Sequence, residues 1–421
     1  MDWGLMGPEK VISQRRTRTL GLSSIVRKFN DLAVPGLGGV KYAKTVFLAC
    51  LGIDVAETVR QTGKQVTNIQ VTNAIEALAC HLAYYTNDWR ADNRLRGRTK
   101  LNSPVDLTYK TFSSNNFYVT QPMRMSTVQA LPGLGFVESK GDRFNSFSLS
   151  QQGRDFIDAA SMGYKCHKLN ITAFLARWVK NEKQLPSSET SSHNNLLYVL
   201  SPIVRLEQHA LNVFTQALLS GEPQNVSRRK SILEWAKSND LHNYVDWTRP
   251  PFIEETHFDD LKSGALFFSL RNKSLDLLNM IEAEIAPLNP PKLDLTTPLS
   301  ESICKAVNKL KVAANDFLSL EHDPSIGKEA NHFAKQCMQS DDVSILKSLL
   351  ERDEVVLRCR GTHVLPAAAF GKPETVNNEK VEDSSLFPHD ISFRVWNMYA
   401  LNQDFENKLD QWLEPKGDND V

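Results

Sequence analysis

Apolar residues spaced three and four positions apart recur along most of the chain, and this period predicts helices. In the first 90 residues the pattern predicts one helix from Tyr42 to Ile53 and another from Thr72 to Tyr85. Beyond residue 165 the same period predicts seven helices, over 171–180, 196–219, 229–238, 259–285, 300–320, 343–350 and 404–413. The predicted fold class is therefore mostly α.

The pattern changes between residues 117 and 157, where short alternating segments predict strands. A strand is predicted over 117–120, and a helix over 123–131 that begins after Pro122. Two further strands, 135–138 and 144–149, are joined by a hairpin turn at 139–143. Ser150 is then suited to cap the N-terminus of a helix over 151–160. These elements together predict a small β-hairpin between two helices.

This layout is similar to that of the winged helix-turn-helix superfamily. The residues that carry the resemblance are Leu134-Gly135-Phe136-Val137-Glu138, Arg143-Phe144, Phe147-Ser148-Leu149-Ser150 and Gly153. The resemblance implies a winged-helix module with a small β-wing in the N-terminal half, followed by a helical C-terminal domain. We therefore expect a basic helical segment at 1–65, a winged-helix-like domain at 66–165, and an acidic helical assembly domain at 166–421.

The same resemblance implies a set of DNA contacts. On the expected recognition helix, base edges or phosphates would be contacted by Arg124, Ser126, Thr127 and Gln129. At the wing tip, Lys140 and Arg143 would contact phosphates. The loop that carries Arg94, Arg96, Arg98 and Lys100 would add an electrostatic attraction independent of base sequence. Because winged helices also act as docking or dimerisation modules, a purely architectural role stays open.

Charge is distributed unevenly along the chain, although 49 basic and 49 acidic side chains balance overall. Residues 1–165 hold 21 Lys and Arg against 13 Asp and Glu, a net charge of +8. Residues 166–421 hold 28 against 36, a net charge of −8. This asymmetry favours an anion-binding N-terminal half and a separate body. Two ordinary domains whose charges differ by chance would give the same counts.

The cysteines and apolar segments indicate the cellular compartment in which the protein is expected. Six cysteines without a short-spaced pair are typical of reduced thiols in a cytoplasmic protein. The first twenty residues lack the apolar stretch of a signal peptide. The longest apolar windows, such as Tyr42 to Ile53, are shorter than a membrane span. We expect a cytoplasmic protein that does not bind membranes.

Candidate catalytic motifs are weak, so we expect neither an enzyme nor a bound cofactor or metal. The glycines at 36, 38 and 39 lack the third glycine of a dinucleotide-binding loop, since Lys41 stands there. The densest acidic cluster, at 254–260, could hold Mg²⁺ in a metal-dependent nuclease. Asp259 and Asp260 are better suited to the N-cap and first turn of the helix that follows. A nuclease is therefore an alternative rather than the leading hypothesis.

A resemblance over the whole chain suggests a more specific role. Three strings look like those of an accessory subunit in bacterial anti-phage or anti-plasmid complexes of the Lamassu type, which are built on an SMC-like ATPase. The strings are residues 75–80, Arg96-Gly97 and 118–124, and they accompany the winged helix and the long helical tail. The resemblance implies a non-catalytic subunit with DNA, an SMC-like ATPase and an effector nuclease as partners. A stand-alone winged-helix transcriptional regulator is the first alternative.

Overall fold

The computed structural model describes residues 17–102, 106–114, 117–238, 247–371 and 391–413, and it is mostly helical. Its helices are α1 Ser23–Ala33, α2 Ala43–Gln61, α3 Asn68–Thr86, α4 Arg98–Leu101, α5 Tyr109–Phe112, α6 Arg124–Thr127, α7 Ala130–Gly133, α8 Gln151–Ser161, α9 Ile171–Val179, α10 Ser191–Leu200, α11 Gln208–Leu218, α12 Pro223–Ser238, α13 Glu255–Ile285, α14 Glu301–Leu318, α15 Glu329–Gln336, α16 Asp342–Asp353, α17 Phe393–Phe405 and α18 Leu409–Leu413. Its strands are β1 Val137–Ser139, β2 Phe147–Leu149, β3 Lys165–Cys166, β4 Leu169–Asn170, β5 Leu293–Asp294, β6 Leu357–Arg360 and β7 His363–Pro366. The mostly α fold class is confirmed. None of the described helices is long and apolar enough to cross a bilayer.

The chain forms two compact units that do not follow its order. Unit 1 contains residues 1–29 and 262–378, and unit 2 contains residues 30–261 and 379–421. These limits do not coincide with the expected domain boundaries at residues 65 and 165. The reason is that α2, α3, α8 and α9 share one hydrophobic core, so residues from all three expected domains meet in unit 2.

Helices α2 and α3 form the centre of unit 2. Both are buried around most of their circumference. Helices α3, α8 and α9 pack against α2, and α2, α5 and α10 pack against α3. Gly52 makes the crossing of α2 and α3 possible, since a Cβ atom there would lie 2.7 Å from the Cα of Thr72. Thr67 and Gln70 form a reciprocal capping box at the start of α3. This cap fixes where α3 begins, which matters for the site described below.

The predicted hairpin between residues 135 and 149 is present in unit 2. Strands β1 and β2 are antiparallel, with Val137 opposite Leu149 and Ser139 opposite Phe147. Buried Phe147 and Leu149 alternate with exposed Ser148, as expected for a strand with one face on the core. The Ser150 hydroxyl accepts a hydrogen bond from the backbone of Gly153, so the predicted cap of α8 is confirmed.

Two further small sheets were not predicted. In unit 2, β3 and β4 form a second hairpin whose turn residues, His167 and Lys168, both have positive φ. In unit 1, the strands of a three-stranded antiparallel sheet lie in the order β5-β7-β6. These strands are two to four residues long, too short for an alternating pattern to reveal them.

Unit 1 is built mainly from α13 to α16 around an aromatic core. The rings of Phe29, Phe267 and Phe317 contact one another, with centroids 5.3–6.4 Å apart. Near the start of the described chain, the buried Arg18 guanidinium pairs with Glu282 at 3.0 Å and with Asp353 at 3.1 Å. This cluster fixes the N-terminal segment within unit 1.

Five local predictions were wrong. The described residues over 117–120 do not form a strand. The single helix predicted over 123–131 is two four-residue helices, α6 and α7. The helix predicted over 196–219 ends before Ser201-Pro202 and resumes as α11, while that predicted over 404–413 is the end of α17 followed by α18. Asp259 and Asp260 do not cap a helix, because α13 already begins at Glu255.

Candidate nucleic-acid interface

One face of α3 brings together segments that are far apart in sequence. Ile69, Asn73, Glu76 and Cys80 follow helical spacing, and together they contact three other segments of unit 2: Ile69 contacts Asn145, Asn73 and Glu76 contact Arg124, and Cys80 contacts Tyr118. The eleven-residue step from Ile69 to Cys80 is about 17 Å at 1.5 Å per residue.

The loop of the β1–β2 hairpin is fixed to the start of this face. The buried side chain of Asn68 donates hydrogen bonds to the carbonyl oxygens of Phe144 at 3.1 Å and Phe147 at 2.9 Å. The backbone N–H of Ile69 donates to the Asn145 side chain at 2.9 Å. Lys140 and Arg143 are exposed in this loop. The predicted wing-tip cations are thus presented by a loop that is tied to α3.

Arg124 lies in the middle of the face. Its Nε donates to the Asn73 side chain at 2.6 Å, and its backbone N–H donates to the Glu76 carboxylate at 2.7 Å. The guanidinium carbon lies 5.4 Å from the centre of the Phe144 ring, within cation–π range. These contacts place Arg124 next to the loop between β1 and β2, with its side chain half-buried.

Glu76 is a fully buried carboxylate at the same place. Burial raises its pKa to about 7, although the nearby charges of Arg124 and Arg96 act in the opposite direction. One turn further along α3, the Cys80 sulfur lies 3.2 Å from the Tyr118 hydroxyl. Burial raises the pKa of Cys80 to about 12, so this cysteine stays a neutral thiol at neutral pH. The buried polar groups therefore hold the segments carrying Arg96 and Arg124 against α3.

The loop with Arg96 and the short helix α4 also lie against α3. Gly97 has φ of 81°, and a Cβ atom there would meet the Tyr118 ring at 2.9 Å, so glycine is required. Arg96 is half-buried, while Arg98 and Lys100 on α4 are exposed. Together with Arg124, Lys140 and Arg143, these three residues form what we call the α3 basic face.

Arg94 does not belong to this face. Its guanidinium pairs with Asp92 at 2.7 Å and with Asp410 at 2.6 Å, and only 10% of its side chain is exposed. It also donates to the carbonyl oxygen of Ile203 at 3.2 Å. Arg94 thus joins the loop to other parts of unit 2, and its charge is already balanced by two carboxylates.

The remaining residues of the expected recognition helix make internal contacts. The Thr127 side chain is fully buried, and its hydroxyl donates to the Arg124 carbonyl oxygen at 2.9 Å. The Ser126 carbonyl accepts a hydrogen bond from the backbone of Gly39 at 3.0 Å. The Gln129 side-chain oxygen accepts from Arg394 at 2.7 Å. A role in reading bases stays a prediction for these three residues, and the α3 basic face does not depend on it.

The segment before the glycines at 36–39, which contact α6 and α7, forms hydrogen bonds with four arginine or histidine side chains. Successive carbonyl oxygens at the end of α1 and just beyond it form hydrogen bonds with these side chains: Leu32 with Arg228, Ala33 with His257, Val34 with Arg394, and Pro35 with Arg229. A Cβ atom at position 133 would lie 2.8 Å from Gly36, so this loop and α7 are in close backbone contact. The glycines at 36–39 therefore serve packing in unit 2.

The acidic cluster at 254–260 has structural partners. Asp260 is buried and pairs with Arg228 at 2.7 Å. Burial lowers the pKa of His257 to about 4, so its ring is neutral at neutral pH. Glu254 accepts a hydrogen bond from Ser227 at 3.1 Å. Within the described ranges, no three side chains of the metal-binding types come together in a metal-site arrangement.

Comparisons with protein-family models, with curated proteins and with solved structures find no match to this chain. The winged-helix and Lamassu-type resemblances therefore rest on the quoted residues alone.

Sequence reasoning missed Asn68, Asn73 and Glu76 as parts of the candidate site. One signal for Glu76 was present, because a carboxylate stands there within the apolar run from Ala74 to Ala79. Asn68 and Asn73 carry no comparable signal, since asparagine near a helix start is common.

Proposed function

We propose that this protein is a non-catalytic subunit that binds DNA through the α3 basic face and docks onto an SMC-like ATPase in an anti-phage or anti-plasmid complex. One observation supports the DNA-binding part above all. Arg96, Arg124 and Arg143 are separated by up to 47 positions in sequence, yet all three segments lie against one face of α3.

The geometry favours contact with the phosphate backbone rather than the reading of base sequence. Arg98, Lys100, Lys140 and Arg143 are exposed on short loops and on α4. The side chains expected to read bases are instead engaged within the protein. Cations that contact phosphates give affinity and orientation without sequence information. We therefore favour a subunit that binds many DNA sequences over a stand-alone transcriptional regulator.

The test is a DNA-binding titration of the whole chain at several salt concentrations, using one duplex of mixed sequence and a second of scrambled sequence. We expect similar affinity for both and a linear fall of log K with log salt. The variant Lys140→Ala/Arg143→Ala should weaken binding and reduce the salt slope by about 2. The variant Arg98→Ala/Lys100→Ala should act in the same way.

A matched control removes two exposed lysines from unit 1, as Lys309→Ala/Lys335→Ala. This variant loses the same formal charge, so its salt slope should equal that of the unchanged protein. If all three double variants weaken binding equally, the attraction comes from net charge and the α3 basic face is not the site. If the unchanged protein binds no DNA, the DNA-binding part of the proposal fails.

The docking part needs a separate measurement. The protein would be co-expressed with the product of a neighbouring gene for a coiled-coil ATPase, and the molar mass of the purified species would be measured by light scattering. A stable complex with that ATPase supports the subunit proposal. A symmetric dimer of this chain alone, with DNA binding confined to one sequence, would instead support a regulator.

A further inference from the structure

Unit 2 also contains a cleft of about 530 Å³ beside the C-terminal half of α3. That volume lies within the range of small-molecule sites, about 300–1,000 Å³. Its lining includes the aromatic and imidazole rings of Tyr85, His81 and His193. The Tyr85 side chain is 62% exposed, which is unusual for so large an aromatic residue and leaves its ring accessible.

The polar lining of the cleft is mainly uncharged. His81 is half-buried, and burial lowers the pKa of its ring, although the nearby backbone of Leu101 acts in the opposite direction. The uncharged polar residues Thr108, Gln184 and Ser187 also line the space. Asp106 supplies one carboxylate, which disfavours a phosphate group inside the cleft.

Two cationic segments are connected to the lining of the cleft. One is α4, which packs against α3, carries Arg98 and Lys100, and ends at Leu101 near His81. The other is the β3–β4 hairpin, because Ser192, next to His193, accepts a hydrogen bond from the backbone of His167 at the hairpin tip. That hairpin exposes Lys165 and Lys168.

This arrangement matches the chemistry of a nucleotide. A base has two faces that stack on aromatic rings, and it has edges that pair with amides and carboxylates. Its phosphates lie outside, where cations attract them. We propose that the cleft receives an unpaired base from a single-stranded end of DNA whose duplex lies on the α3 basic face. This inference rests on the proposed DNA binding and names the DNA structure that is recognised.

Asp106 and Gln184 restrict which types of base the cleft would favour. A carboxylate accepts hydrogen bonds from an exocyclic amino group, as in its pairing with cytosine N4, and a glutamine amide matches the edge of adenine. Thymine has no exocyclic amino group. Tails of adenine or cytosine are therefore preferred over tails of thymine.

The experiment compares three DNAs with the same duplex stem: blunt, with a four-nucleotide adenine tail, and with a four-nucleotide thymine tail. Binding is measured by titration of the full chain, and 2-aminopurine placed in the tail reports stacking through its fluorescence. The adenine tail should bind at least about fivefold more tightly than the blunt stem, since stacking on one aromatic ring supplies that much. Its 2-aminopurine signal should be quenched.

The variant Tyr85→Ala should remove the preference for the tail and leave binding of the blunt stem unchanged, whereas Tyr85→Phe should retain both. The matched control is Phe252→Ala, which removes another exposed aromatic ring of unit 2 that does not line the cleft. It should bind all three DNAs as the unchanged protein does.

The outcomes separate this inference from the proposed function. Salt-sensitive binding of the blunt stem with no gain from either tail overturns the cleft assignment alone. A tail preference that persists in Tyr85→Ala also overturns it. Absence of binding to any of the three DNAs overturns the proposed DNA binding and this inference together.

Discussion

The backbone N–H of Arg124 donates a 2.7 Å hydrogen bond to the buried carboxylate of Glu76, a residue 48 positions earlier in the chain. The bond fixes the first turn of α6 on the middle of α3. Because Glu76 is fully buried and its pKa is raised to about 7, this junction gains or loses a proton close to neutral pH.

The first prediction concerns the pH dependence of stability. In the unfolded chain Glu76 titrates near 4.5, and in the folded protein it titrates near 7. Since the folded state holds the proton more tightly, the contribution of Glu76 to stability is greatest below pH 4.5 and falls as pH rises to 7, by up to about 3 kcal/mol. Glu76→Gln should flatten this part of the profile, measured by thermal unfolding between pH 5 and 8. An unchanged profile would show that Glu76 does not titrate in this range.

The second prediction separates Arg94 from its neighbours in sequence. Arg94→Ala should lower the free energy of unfolding by about 1.5–3 kcal/mol, because its charged hydrogen bonds with Asp92 are lost. The salt slope of DNA binding should not change. Arg98→Ala is the matched control and should show the opposite pattern, with stability retained and the slope reduced. A reduced slope in Arg94→Ala would place Arg94 on the DNA.

The third prediction concerns the crossing of α2 and α3. Gly52→Ala should lower the free energy of unfolding by at least about 1–3 kcal/mol, since the new Cβ would overlap the backbone of Thr72. Trimming the side chain of Thr72 should not restore stability, because its Cα atom is itself 2.7 Å away. Gly141→Ala, in the exposed loop between β1 and β2, is the control and should change stability little. Chemical denaturation of the three variants provides the comparison.

The fourth prediction tests the buried cluster of unit 1. Arg18→Met leaves Glu282 and Asp353 buried without their cation, and should cost about 3–5 kcal/mol. Lys305→Ala removes an exposed pair with Glu301 and should cost at most about 1 kcal/mol. Equal effects in the two variants, measured by urea unfolding, would contradict the assignment of Arg18 to a buried cluster.

Sequence periodicity predicted the long helices well because their apolar faces are local features. It failed at residues 123–131, where Met125, Val128 and Leu131 have helical spacing. There the Ser126 carbonyl accepts from Gly39, nearly ninety positions away, so the ladder of one continuous helix is interrupted. No local pattern contains that partner. The end of a helix at Leu200 could have been predicted more easily from the sequence, since Pro202 disfavours a helical conformation of the residue before it.

The residues of the candidate site likewise fall into those that the sequence could predict and those that it could not. Exposed Lys140 and Arg143 were predictable from the hairpin turn, because a turn projects its polar residues into solvent. Arg94 and Arg98 were indistinguishable in sequence, since they belong to one basic loop. What separates them is Asp410, which lies 316 positions from Arg94. Only the tertiary fold supplies that carboxylate.

The four carbonyl oxygens at the end of α1 also bear on how the chain is made. One of their donors, Arg394, lies on α17, close to the end of the described chain. During synthesis, residues 30–36 leave the ribosome long before this donor exists. The native hydrogen bond of the Val34 carbonyl must therefore wait until residue 394 has been synthesised, whereas the partners of the other three carbonyls, at positions 228, 229 and 257, emerge earlier. A chain that terminates before residue 394 would leave this segment without one of its four side-chain partners.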